Sequence, residues 1–240
     1  MKYLQIICFI LVSLTLDAQI KQQFACNIEL NTAFPANLRG SDYTDLPGLV
    51  GIEFFNTEYV IGDIYLEDGH VAYDERIRYN GRIDGLLLLT PRSGDEIVLD
   101  KYFIRAFSCK SVKDTSTIYF SKIKVLKEYS SDTIDIYGQV LYQNKLSLYA
   151  FRRYTYKEDV NENVNGELIA HSKYGPSFIY YFKLPNNKTI GFTTLKKRNL
   201  YTLFPDNKDT MKQLLREHHQ RRFKKENDLV KITALLNSLY

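Results

Sequence analysis

The sequence predicts an α+β protein: an antiparallel, meander-rich β-sheet, curved or barrel-like, with two or three helices packed at its C-terminal end. Three observations carry this expectation. Two Xaa-Gly turn signals, Asp68-Gly69 and Asn80-Gly81, separate strand-like runs. The 240 residues include 19 Tyr and 14 Phe, which favour pleated, half-buried surfaces. Beyond residue 208 the apolar period changes from strand-like to helical. A chain of this length buries a sizeable core without metal or disulfide staples.

The N-terminal stretch MKYLQIICFILVSLTLDAQ has Lys2, an apolar run from Tyr3 to Leu16, and a small residue at Ala18. That is the layout of a signal peptide cut after Ala18, and the run is too short to span a bilayer comfortably. Residues 1–18 are therefore read as a removable signal, with no transmembrane span in the mature chain. Cys26 lies too far beyond the apolar run to serve as a lipidated cysteine. Export to the periplasm, the cell surface or the medium makes an oxidising compartment, in which Cys26 and Cys109 are free to pair. Two separate buried thiols are the alternative.

Residues 19–57 carry Pro35, Gly40, Pro47, Gly48 and Gly51 and read as an irregular segment with short ordered pieces. The β-domain is expected over 58–194. EYVIGDIYL, HVAYDERIRY and RIDGLLLLT form a three-stranded meander over residues 58–90. DEIVL, YFIRAFSC, STIYFSKIKVLKEY, DTIDIYGQVLY, KLSLYAFRRYTY, SFIYYFKL and KTIGFTT supply the later strands. Gln143-Asn144 and Asn186-Asn187 are turn candidates, and the polar, Asn-rich 157–167 reads as a loop. Residues 195–240 form the helical end. Met211, Leu214, Leu215, His218 and Phe223 share one helix side, with Asp209 as N-cap. Leu229, Ile232, Leu236 and Leu239 form a second stripe behind Asn227 or Asp228.

If both Xaa-Gly dipeptides are two-residue loops, register follows. Leu66 then faces Val71, Ile64 faces Tyr73, Asp63 faces Asp74, and Tyr79 faces Arg82. Val60, Ile64, Leu66, Val71, Tyr73, Ile77, Tyr79, Leu86 and Leu88 make the core face. Asp63, Glu67, His70, Asp74, Arg76 and Arg78 make the other, and they are the candidate binding residues. Alternation alone accounts for them as wet surface. The one tension is Asp63 opposite Asp74, since like charges there destabilise. Arg76 placed diagonally would offset it. So would a hard cation held by Asp63, Asp74 and Glu67 with His70 nearby, and a one-residue bulge would separate the pair.

Recognised catalytic, phosphate-binding and metal-binding motifs are absent, and the four histidines lack ligand spacing. No metal and no cofactor is implied. A second candidate surface is basic: Lys196, Lys197, Arg198, Arg221 and Arg222 suit an anionic surface such as lipid headgroups or acidic polysaccharide. With a formal charge of +4 and an export signal, nucleic acid is not an expected partner.

The element Arg78-Tyr79-Asn80 with Asp84 shortly after, the run Lys196-Lys197-Arg198-Asn199-Leu200 before a helix, and the closing Leu235-Leu236-Asn237-Ser238-Leu239 occur in an order that resembles uncharacterised exported bacterial envelope proteins. The likeness spans residues from about 46 to the end. It implies compartment and layout, and no activity. The functional expectation is an exported, non-catalytic envelope protein that binds a partner or ligand. The alternative is an enzyme acting on an envelope polymer without a recognisable motif.

Overall fold

The computed structural model describes residues 38–44, 49–51, 53–91, 93–112, 114, 116–127, 130–164, 167–194, 200–201, 204, 208–217 and 225–239. The strands are β1 (Gly40–Asp42), β2 (Leu49–Gly51), β3 (Val60–Leu66), β4 (Val71–Asn80), β5 (Gly85–Leu89), β6 (Glu96–Leu99), β7 (Ile104–Lys110), β8 (Thr117–Leu126), β9 (Thr133–Tyr142), β10 (Ser147–Phe151), β11 (Tyr154–Val164), β12 (Glu167–Pro176), β13 (Ile179–Lys183) and β14 (Thr189–Phe192). The helices are α1 (Lys208–Glu217) and α2 (Glu226–Leu236). Eleven of the described strands form one antiparallel sheet in the order β1-β6-β5-β4-β3-β7-β8-β9-β10-β13-β14. A three-stranded sheet, β11-β12-β2, stands beside it, with β2 parallel to β12.

The expected meander is present as β3, β4 and β5, but both turns are longer than the dipeptides suggest. The first loop is Glu67-Asp68-Gly69: the Leu66 N–H donates to the His70 carbonyl at 2.8 Å, and Gly69 has φ +93°. A three-residue loop closed by a left-handed glycine is the next most favourable hairpin connection after the two-residue kind. Tyr65 therefore faces Val71, and Ile64 faces Ala72. This one-residue slip inverts the faces of residues 71–73. Ala72 enters the core, Val71 packs on the other side with Tyr65, Ala106 and Tyr119, and Tyr73, expected inside, is 53% exposed. A bulge then places Tyr73 and Asp74 together opposite Asp63, with Asp74 at φ +56°. The bulge cancels the slip, so Val60 faces Ile77, and Ile77 and Tyr79 point inward as expected.

The second turn is a four-residue loop, Gly81–Asp84, that pairs Asn80 with Gly85 and Tyr79 with Leu86 rather than with Arg82. The Asn80 side chain builds it by accepting from the Arg82 and Ile83 N–H groups at 2.9 and 3.3 Å. Because the register moves by an even number, Leu86 and Leu88 keep the core face.

Two further expectations are corrected. The stretch 157–167 is expected to be a loop, but 157–164 belong to β11, which pairs down to Val164 opposite Glu167 of β12. Residues 145–156 are two strands of different sheets, separated at Arg152-Arg153.

The large sheet curls without closing into a barrel. On one face Tyr79, Phe107, Phe120 and Tyr137 form a single core with Ile64, Ile77, Leu86 and Leu99, which draws β6 and β9 toward each other. Phe107 and Phe120 stack at 4.7 Å, and Tyr137 meets Phe107 edge-on at 5.2 Å. Farther along, β14 turns back toward β8, where the Thr189 hydroxyl donates to the Lys124 carbonyl at 2.8 Å. This second curl packs Ile123, Val125, Ile136, Tyr149 and Phe151. Ile136 and Tyr137 are neighbours in one strand, so the two cores occupy opposite faces of the sheet.

Both helices dock on the sheet, as their stripes predict: Met211, Leu215, Leu229, Ile232 and Leu236 bury against Leu148, Phe182 and Phe192. The caps differ from expectation. Asp209 sits inside the first turn of α1, and Lys225 is the N-cap of α2, with Asp228 reaching back to its N–H at 3.1 Å. Among the described residues no helix is long and apolar enough to cross a membrane.

Candidate functional site

The charged residues of the first hairpin do not converge. Asp63 accepts from the Asp74 N–H at 3.2 Å and from the Ser108 hydroxyl at 3.4 Å, so the bulge replaces the expected carboxylate clash with a backbone hydrogen bond. His70 pairs with Asp68 at 3.1 Å, and the His70 N–H holds the Asp68 carboxyl below the usual carboxylate range. Arg76 is exposed opposite Ile61. Glu67 turns away from this group and pairs with Lys122 at 2.5 Å. Among the described residues no three His, Cys, Asp or Glu side chains gather as a metal site.

Arg78 faces away from the core, yet it is largely covered. Its guanidinium lies 3.7 Å from the Phe54 ring centroid and 4.6 Å from that of Tyr59, with Glu96 at 3.3 Å. Glu75, next to the bulge, points to the core side. Burial first, and the Asp74 charge second, raise its carboxyl above the usual range. Lys196, Lys197, Arg198, Arg221, Arg222 and Cys26 lie outside the described residues. Cys109 is a buried free thiol on the core face, 3.9 Å from the Asn56 amide, and burial pushes it up to about 12.

The residues of the Arg78-Tyr79-Asn80 element have separate duties. Arg78 covers Phe54, Asn80 shapes the turn, and Tyr79 donates its hydroxyl to Asp84 at 2.7 Å. Asp84, held at φ +51°, also accepts from the Tyr137 N–H at 3.2 Å and pairs with Lys101 at 2.5 Å. Burial raises the Asp84 carboxyl, while Lys101, Tyr79 and the Tyr137 amide pull it back without cancelling the shift. Both carboxylate oxygens are thus engaged, and they tie the β4–β5 turn to β9 and to the short 3-10 turn Lys101–Phe103.

That 3-10 turn forms one wall of an open groove of about 810 Å³ at the mouth of the first curl. The first hairpin loop supplies Leu66, Glu67 and Asp68, while β7, β8 and β9 supply Arg105, Lys122, Lys124 and Asp135. Here Lys122 donates to the Lys101 and Tyr102 carbonyls at 3.0 and 3.4 Å as well as pairing with Glu67. Asp100 caps the turn by accepting from the Tyr102 N–H at 2.9 Å. Lys124 and Asp135 face each other directly across β8 and β9. At the lip, the Tyr102 ring is 77% exposed and meets Phe103 edge-on at 5.2 Å. Of these residues only Glu67 was among the sequence candidates. The others come from four separate stretches that only the curl of the sheet brings together.

Fold and groove together define an α+β protein built on a curled antiparallel sheet with a polar, open-mouthed groove. Comparison of the chain with family models, with curated proteins and with solved structures returns no match.

Proposed function

We propose that this is an exported protein that acts by binding rather than by catalysis, and that the groove beside Tyr102 is where it binds. The observation that carries this reading is the braced aromatic. A tyrosine 77% exposed has no packing reason to be fixed, yet a cap, a neighbouring ring and a lysine hold its turn in place. Rigid, exposed aromatic surface is what a recognition site needs, because little conformational freedom is then lost on contact. The acids nearby do not suit general acid–base work. Asp84 spends both oxygens on internal partners, Glu67 is paired with Lys122, and Asp68, held below the usual carboxylate range by the His70 N–H, is paired with His70; Asp135 stands across the strand pair from Lys124. Proton transfer needs a carboxyl within reach of substrate and free to exchange its proton.

Export supplies the setting. Native protein should begin at Gln19, and a mass spectrum showing retained Met1 would contradict it. The binding reading is tested by co-sedimenting the purified mature chain with a total envelope fraction. Wild type should pellet, and Tyr102→Ala should lose roughly 1 kcal/mol of affinity with no change in melting temperature. Equal pelleting of the two would remove the groove from consideration.

A further inference from the structure

We propose that the ligand of the groove is an uncharged glycan, its sugar rings stacking on Tyr102 while its hydroxyls bridge the paired charges below; this rests on the groove being the binding site. The groove is rich in charge but nearly balanced: Lys101, Arg105, Lys122 and Lys124 stand against Glu67, Asp68, Asp135 and the adjoining Asp84, and two of these cations are held in close ion pairs. Lys122 is 2.5 Å from Glu67, Lys101 is 2.5 Å from Asp84, and Lys124 stands opposite Asp135. An anionic ligand that engaged Lys101 or Lys122 would have to draw it away from Asp84 or Glu67 and leave that acid uncompensated, which is costly in a partly buried setting. A hydroxyl both donates and accepts, so it can join an ammonium and a carboxylate without breaking either pair. The C–H face of a sugar is apolar and flat enough to cover an aromatic ring, and Tyr102 offers such a ring at the lip. The groove is open rather than enclosed, which lets a long chain pass through instead of requiring a free end.

The experiment uses the envelope material itself, divided by chemistry. One portion is protease-digested, one is extracted with organic solvent, and one is oxidised with periodate, which cleaves vicinal diols of sugars. The mature chain should bind the first two portions as it binds untreated envelope, and should fail to bind the third. Tyr102→Phe should retain affinity while Tyr102→Ala loses about tenfold. Raising salt from about 50 to about 500 mM should change binding by less than about twofold, since no counterions are released from an uncharged partner. Binding that survives periodate, that disappears with protease or solvent extraction, or that falls steeply with salt would overturn the glycan assignment. If Tyr102→Ala still weakened it, the groove would stand. Wild-type binding by Tyr102→Ala, or no binding to untreated envelope, would overturn the groove reading beneath it.

Discussion

Asp74 holds a left-handed backbone conformation at the bulge, and its N–H is spent on the Asp63 carboxylate. A residue with a Cβ is strained there, and aspartate is among the few that tolerate it. Asp74→Gly should therefore stabilise the protein by up to about 1 kcal/mol, and Asp74→Val should cost roughly 1–2 kcal/mol, both read from denaturant melts. Neither melt should respond to a chelator. Three and four residues on, Ile77 and Arg78 separate the faces. Ile77→Ala should cost roughly 2–5 kcal/mol through a core cavity. Arg78→Ala should cost about 1–2 kcal/mol, more than a wet surface residue, because the guanidinium lies between Phe54 and Tyr59 beside Glu96. Alternation in the sequence placed Arg78 on the correct face. Its cover was not legible, since Phe54 belongs to the irregular 19–57 stretch and Tyr59 to the very start of the first strand candidate, and nothing in the sequence states that they meet at Arg78. The bulge at Tyr73-Asp74 was hidden differently: it is a backbone event, and nothing in HVAYDERIRY states where the extra residue goes.

Elements were legible where apolar residues keep a period. All three meander strands and both helices were legible as elements, although the faces of 71–73 came out inverted and His218 and Phe223 of the first stripe lie outside the described residues. The hairpin β11–β12 was not, because KEDVNENVNGE is mostly polar and Asn-rich and keeps no apolar period, while its strands are held by the backbone ladder and by polar pairs such as Lys173 with Glu158 and Ser172 with Asp159. Helix α2 shows what holds an element to the sheet. Arg152, 6% exposed, grips Glu226 with both terminal nitrogens, at 2.5 and 2.9 Å, while the Tyr180 hydroxyl donates to the same carboxylate at 2.9 Å. Burial alone would raise the Glu226 carboxyl. The Arg152 hydrogen bonds and charge, with Tyr180, overcome that and hold it below the ordinary value of 4.5. A depressed folded value means that the pairing stabilises above the unfolded value and is lost as pH falls through the folded one. Docking of α2 should thus weaken as pH drops below about 4.5, and Glu226→Gln should remove that part of the pH dependence. Far-ultraviolet and tyrosine signals followed from pH 7 downward would check it, and identical acid transitions for the two proteins would contradict it.

At the scale of the whole molecule, one acid closes the first curl. Asp84 joins Tyr79, Tyr137 and Lys101, and so connects β4, β9 and the 3-10 turn at the groove. Asp84→Ala should cost roughly 3 kcal/mol, because it strands a lysine and a buried hydroxyl together. It should also loosen Tyr102, seen as faster amide exchange at residues 101–103. The sequence placed an acid here but had no means of showing its partners, which lie up to 53 residues away. The groove was illegible for the same reason: alternation assigns faces within a strand, while the curl that gathers four stretches into one mouth arises from twist and long-range packing. The most direct test of the account is amide hydrogen exchange of the mature chain with and without the solubilised polysaccharide fraction of the envelope. Protection confined to the Glu67–Gly69 loop, residues 101–105 and the facing parts of β8 and β9, and reduced in Tyr102→Ala at a ligand concentration that half-saturates wild type, is the predicted result. Protection centred elsewhere, on the β11–β12 hairpin or the C-terminal helices, with the groove unchanged, would contradict it.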